Sequence, residues 1–214
     1  MRVLAIQTYP GANLAAARHF PFYENAGADR IIGITTEDGG CDWPGREDIE
    51  VGPDCYVSGD HLCRRLLETI SACLESGADE LMVAEYDTLF FRPMPPLFPD
   101  GLVMNATGGG GPEFRGLAYY HGPWCMNAVT AQKVVASGRL MLADGDIEHG
   151  WPDRFIGRLA ERFEIPAVQG FFKNYSRNCL DTPEYIAEAR AAIAAGAHAV
   201  HGVKTVGQLE ALLK

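Results

Sequence analysis

The chain has 214 residues, 47% of them hydrophobic and 21% charged, which excludes a disordered polypeptide and leaves ample apolar material for a core. Eighteen Lys and Arg against 28 Asp and Glu give a formal net charge of -10, which argues against nucleic acid as a partner. An acidic protein that handles an anionic substrate needs a local remedy, such as a metal ion or helix N-termini.

Val3-Leu4-Ala5-Ile6 predicts a buried first strand. The apolar run before Gln7 is too short for a signal-peptide core. Residues 12–27 predict a helix, with Pro21 breaking or restarting it and Gly27 capping its end. Ile31–Ile34 predicts a second strand. Residues 37–59, rich in Gly and Pro, predict a long loop. Leu62, Leu66, Leu67, Ile70, Cys73 and Leu74 recur at helical spacing, so 60–76 predicts a helix with Asp60 at its start and Gly77 at its end. Leu81–Ala84 predicts a third strand that runs into Glu85-Tyr86-Asp87. Residues 92–116 hold five prolines and six glycines and predict a second irregular region. Helices follow over 125–137 and 153–163, the latter with Pro152 in its first turn. Another helix runs from Thr182-Pro183-Glu184 to Gly196. His198–His201 predicts a short strand, and Thr205 with Gln208 forms a capping box for a last helix. Alternating strands and helices without a linker predict one α/β domain over 1–214, a mixed sheet flanked by helices.

No segment is apolar for long enough to span a membrane. The six cysteines, at 41, 55, 63, 73, 125 and 179, have no CxxC spacing, which disfavours a zinc ribbon. Cys63 and Cys73 fall on a predicted helix as buried thiols. The cysteine usage predicts a reducing, cytoplasmic compartment.

Four constellations could carry chemistry. Glu85 and Asp87 lie two residues apart at a strand end, so their side chains point the same way. Their hard oxygens suit Mg2+ or Mn2+, and the apolar residues on either side make unpaired carboxylates costly. The plain alternative is a solvated acidic turn. In His201-Gly202-Val203-Lys204 the imidazole could ligate a metal, the glycine could let backbone approach a ligand, and the lysine could neutralise a phosphate. The alternative is an edge histidine beside a surface lysine. Asp144, Asp146, Glu148 and Asp153 read either as loop and helix-cap acids or, for Asp153, as a general base or sugar ligand. Tyr119-Tyr120-His121-Gly122-Pro123-Trp124 reads as a turn that would expose Trp124 to a sugar face, or as a Trp anchoring the following helix. Tyr9 could stack on a nucleobase. Gly108–Gly111 lacks the GK[ST] of a phosphate loop.

In this order the elements resemble the GT-A-fold glycosyltransferases that use nucleotide sugars. ADELMVAEYDTLFFRPM is similar to the family's strand leading into its Asp-x-Asp motif. WPDRFIGRLAERFEI resembles its acidic motif at a late helix start, and HGVK its C-terminal His-Gly-x-Lys element. The resemblance spans roughly residues 1–205, with Glu85 and Pro152 standing where the family often has other acidic residues. It implies a GT-A-like, Rossmann-like α/β fold and a metal-dependent glycosyltransferase. The cofactors it implies are Mn2+ or Mg2+ and a nucleoside-diphosphate sugar, a UDP-sugar by preference. It implies that Glu85, Asp87 and His201 hold the metal, while Lys204 sits beside the diphosphate. Thr8, Tyr9 and Asp38 would hold the nucleoside, and Gly122 and Trp124 the hydroxyl-bearing acceptor. Asp153 would deprotonate the acceptor in an inverting enzyme or hold the donor sugar in a retaining one. Two other readings compete: a nucleotidyltransferase, disfavoured because Gly11 stands alone after the first strand, and a non-catalytic sugar- or partner-binding protein.

Overall fold

The computed structural model describes residues 1–8, 12–35, 48–50, 60–107, 119–146, 152–168, 170–177 and 179–214, with backbone alone at 13, 48–50, 60, 105–107 and 119–121. Strands β1 (Arg2–Gln7), β2 (Arg30–Thr35), β3 (Asp48–Glu50) and β4 (Glu80–Glu85) lie parallel in the order β3-β2-β1-β4. The sheet continues through β7 (Tyr119–Asn127), β6 (Leu102–Thr107) and β8 (Ala167–Val168), with β7 antiparallel to both β4 and β6. Among the described residues this makes seven strands. A smaller sheet of three places β10 (Ala199–His201) between β5 (Thr88–Phe90) and β9 (Asn174–Ser176).

The near-continuous apolar runs of β1 and β4 follow from burial on both faces. Val3, Ala5, Leu81 and Val83 pack against α2 (Asp60–Glu75), α3 (Ala128–Ala143) and α4 (Pro152–Arg162) through Leu66, Ile70, Val134 and Leu159. The alternate residues Leu4, Ile6, Met82 and Ala84 meet Ala16 and Tyr23 of α1 (Asn13–Glu24). A third cluster joins Leu89 and Val200 of the small sheet to α5 (Pro183–Ala194) and α6 (Val206–Leu213) through Ala189, Leu209 and Leu212.

Several expectations hold in detail. The reciprocal Thr205–Gln208 capping box opens α6, Thr182 caps α5 through Tyr185 N, and Pro152 begins α4. Cys63 and Cys73 are buried thiols on α2, and burial pushes the Cys73 thiol up to about 12. Three expectations are corrected. Pro21 neither ends nor restarts α1. The turn after it is held by buried Tyr23 and by Asn25, whose Nδ2 donates to Phe90 O at 3.0 Å. The region 92–116 is not wholly irregular, because Leu102–Thr107 forms β6. Residues 125–127 are strand rather than helix. Cys125 and Met126 pair with Met82 and Leu81, and Asn127 Oδ1 then accepts from Thr130 N at 2.8 Å to start α3. Of the predicted loop 37–59, β3 is described and the rest lies outside the described residues. No helix among the described residues is long and apolar enough to cross a membrane.

Candidate metal centre

In the parallel part of the sheet, the chain leaves β1 toward β2 and β3 on one side, then returns to place β4 on the other side of β1. The carboxyl ends of β1 and β4 therefore border a crevice where open α/β sheets take their ligands. Thr8 ends one wall and Glu85-Tyr86-Asp87 the other.

The triplet's backbone is held on every side. Tyr86 N donates to Gln7 O at 3.0 Å. Tyr86 O accepts from Tyr23 Oη at 2.6 Å and from His19 Nδ1 at 2.9 Å, both on α1. Asp87 O accepts from Gly202 N at 3.1 Å and Val203 N at 3.0 Å. These last two bonds stitch the end of β10 to the end of β4, and pairing of His201 with Thr88 extends the seam.

Three side chains converge there. Each of Glu85, Asp87 and His201 offers one ligand atom within 4.8 Å of the others'. The Asp87 side chain is 2% exposed, and its Oδ1 is buried without a hydrogen-bond partner among the described residues. It stands 3.3 Å from His201 Nδ1, which is also 3.0 Å from Thr88 Oγ1. A proton on Nδ1 can be donated to Thr88 Oγ1, whereas a lone pair there would face the Asp87 carboxylate. That tautomer leaves the Nε2 lone pair 3.9 Å from Glu85 Oε2. Glu85 stands at the mouth with 46% of its side chain exposed. Loss of water around its carboxyl and the charges of Asp87 and Asp153 still push it up to about 8, against the pull of Lys204 and Arg65. A buried carboxylate with an unmet oxygen, a second carboxyl group at the mouth and an imidazole nitrogen form an oxygen-and-nitrogen donor set that suits Mn2+ or Mg2+.

The predicted residues distribute as follows. Glu85, Asp87 and His201 come together, and Asp153 and Lys204 lie near enough to act on the Glu85 carboxyl. Thr8 is fully buried just past β1, its N bonded to Ile34 O at 3.1 Å. Tyr9, Asp38 and Glu148 lie outside the described residues, as do the side chains of Tyr119, Tyr120 and His121. The expected Gly-Pro turn is corrected: Gly122 and Pro123 are interior to β7, and Trp124 is 1% exposed in the core behind the sheet. Its ring anchors the structure and offers no face to a sugar. Gly202 is also reread. Its φ of +104° and the Arg177 carbonyl, which a Cβ would strike, explain the glycine without a ligand. Asp144 and Asp146 are engaged by Arg162 at 2.6 and 2.9 Å, and Arg158 also reaches Asp146, so these acids staple α3 to α4.

Four contributors escaped the sequence reading. Thr88 orients the His201 ring, and His19 and Tyr23 grip the Tyr86 carbonyl. Arg65, buried on α2, reaches the Thr8 carbonyl and donates to Ile34 O at 2.9 Å, tying the ends of β1 and β2. A buried Arg at a helical position facing the strand ends was the available signal. His19 and Tyr23, four residues apart on one helix face, were another.

Neither sequence-family profiles nor curated protein sequences match the chain. Solved structures do. The galactosyltransferase LgtC, solved with donor and acceptor sugar analogues, superposes with a TM-score of 0.58. That match is 13% identical and covers 98% of this chain and 93% of LgtC. The chain has the GT-A fold. An active-site mutant of LgtC gives a TM-score of 0.59 at 12% identity, over the same shares of both chains. In a GT-A fold laid out this way, the acidic triplet ends the strand beside β1, and the histidine arrives from the small second sheet.

Proposed function

We propose that the protein is a metal-dependent glycosyltransferase that moves a sugar from a nucleoside-diphosphate sugar, a UDP-sugar by preference, to a hydroxyl acceptor. The observation that carries this reading is the convergence of Glu85, Asp87 and His201 at the carboxyl end of β4, in the crevice of a GT-A fold. Asp87, His201 and Glu85 would hold Mn2+ or Mg2+. That ion supplies Lewis acidity and neutralises negative charge on a diphosphate. Lys204, whose positive charge acts on the same site, would add a second counter-charge for the leaving group. Thr8 at the end of β1, with Tyr9 and Asp38, would hold the nucleoside.

In the transfer, the bond between the sugar's anomeric carbon and the diphosphate oxygen breaks. The electron pair leaves with the nucleoside diphosphate. A new bond forms to the acceptor oxygen, whose proton must be taken up. Asp153 would take that proton in an inverting reaction, a role supported by its position in the first turn of α4 and by its charge acting on Glu85. In a retaining reaction it would hold the donor sugar instead. The net charge of -10 makes a local counter-charge necessary for any anionic donor.

The test is release of nucleoside diphosphate from UDP-sugars with Mn2+. Turnover should be abolished by a chelator, restored by excess Mn2+, and lost in Asp87→Asn with melting temperature retained. Turnover that is indifferent to chelator, or that survives Asp87→Asn, contradicts the reading.

A further inference from the structure

We propose that His19 and Tyr23 are positioning residues for the metal centre, acting through the Tyr86 carbonyl to set the relative aim of Glu85 and Asp87. The inference rests on the metal reading of that site.

Tyr86 is the single residue between two ligands, so its peptide units decide how far apart and in what directions Glu85 and Asp87 project. Its carbonyl has two lone pairs, and α1 supplies a donor to each, Tyr23 Oη at 2.6 Å and His19 Nδ1 at 2.9 Å. A carbonyl only accepts, so His19 Nδ1 carries the proton and Nε2 is bare. His19 is wholly buried, and its Nε2 has no hydrogen-bond partner among the described residues. Burying an imidazole with one nitrogen unmet costs free energy that an apolar residue would not. Satisfying a carbonyl needs one donor, and Tyr23 already provides it. A second donor at that cost restrains direction. The neighbouring carbonyl is treated the same way, since Asp87 O takes two amide donors from Gly202 and Val203. The triplet is therefore fixed between α1 and the end of β10. This is the preorganisation that a metal site requires of the groups behind its ligands. Edge-to-face packing of the His19 and Tyr23 rings, 6.5 Å apart at 89°, holds the two donors together.

The experiment is a Mn2+ titration followed by electron paramagnetic resonance, with the metal alone as probe, on wild type, His19→Leu, Tyr23→Phe and His19→Asn. Tyr23→Phe removes one oxygen and keeps the packing, so it decides the matter if His19→Leu does not fold. Loss of either donor should weaken Mn2+ binding about 10-fold and alter the bound-ion spectrum. His19→Asn, which restores an N–H at the δ position, should recover most of both. Donorless variants that melt earlier yet bind Mn2+ like wild type would make the pair merely structural and overturn the inference. So would His19→Asn binding no better than His19→Leu. Wild-type protein that binds no Mn2+ overturns the metal reading itself, and the inference falls with it.

Discussion

Asp87 divides its work between two atoms. Its backbone carbonyl serves the fold by accepting from Gly202 and Val203, while its side-chain Oδ1 makes no hydrogen bond among the described residues. Asp87→Asn should therefore leave the fold intact and, without metal, raise the melting temperature, because it relieves a negative charge beside Glu85. A drop of several degrees in the metal-free variant would show the carboxylate to be structural. Glu85 carries a pH signature. Its carboxyl is pushed up to about 8 in the folded protein against 4.5 ordinarily, so between those values the folded state holds a proton that the unfolded chain has shed. Stability of the metal-free protein should fall as pH rises through this window, and Glu85→Gln should flatten the fall, as denaturant titrations at several pH values would reveal. A wild-type curve already parallel to that of Glu85→Gln would contradict the crowding of carboxyls at the site. Of these residues, Glu85, Asp87 and His201 were legible in the sequence, because strand ends announce themselves and i, i+2 acids must share a face. The burial of Trp124 was not. Whether a Gly-Pro pair turns the chain or lies within a strand depends on pairing to β4, a contact far back in the sequence.

At the scale of elements, the joint between the two sheets is what assembles the site. Glu85 ends a strand of the large sheet, Asp87 lies in the turn that follows it, and His201 ends a strand of the small sheet. Gly202 closes that joint with a left-handed backbone packed on the Arg177 carbonyl. Gly202→Ala should cost about 1–3 kcal/mol of stability from backbone strain and displace His201. Calorimetry and Mn2+ affinity should both register the change, and an unaltered melting temperature would refute the strain argument. Helix caps were readable because their signals are local, as in Thr205–Gln208 and Thr182. Strand β6 was not. Its six residues are bracketed by Pro99 and Gly101 on one side and four glycines on the other, and their pairing with β7 and β8 is tertiary. Residues 125–127 misread as helix for the same reason, since apolar runs of that length suit either period until a neighbour selects one.

At the scale of the whole molecule, alternating elements made an α/β class readable, and the motif order pointed to the GT-A fold that the LgtC structures share at 12–13% identity. What periodicity could not convey is topology: that β4 lies beside β1 and that β10 joins β5 in a separate small sheet. Those two facts bring a ligand atom from each of Glu85, Asp87 and His201 within 4.8 Å of the others. The central claim is that this convergence binds a divalent cation together with a nucleoside diphosphate. A thermal-shift screen of UDP, GDP, CDP and ADP, each with and without Mn2+, tests it most directly, since a ligand that binds only the folded state stabilises it. A rise in melting temperature that needs both Mn2+ and one of the four diphosphates is the predicted result, and it would name the donor class. No shift with any diphosphate in the presence of Mn2+ would contradict the account.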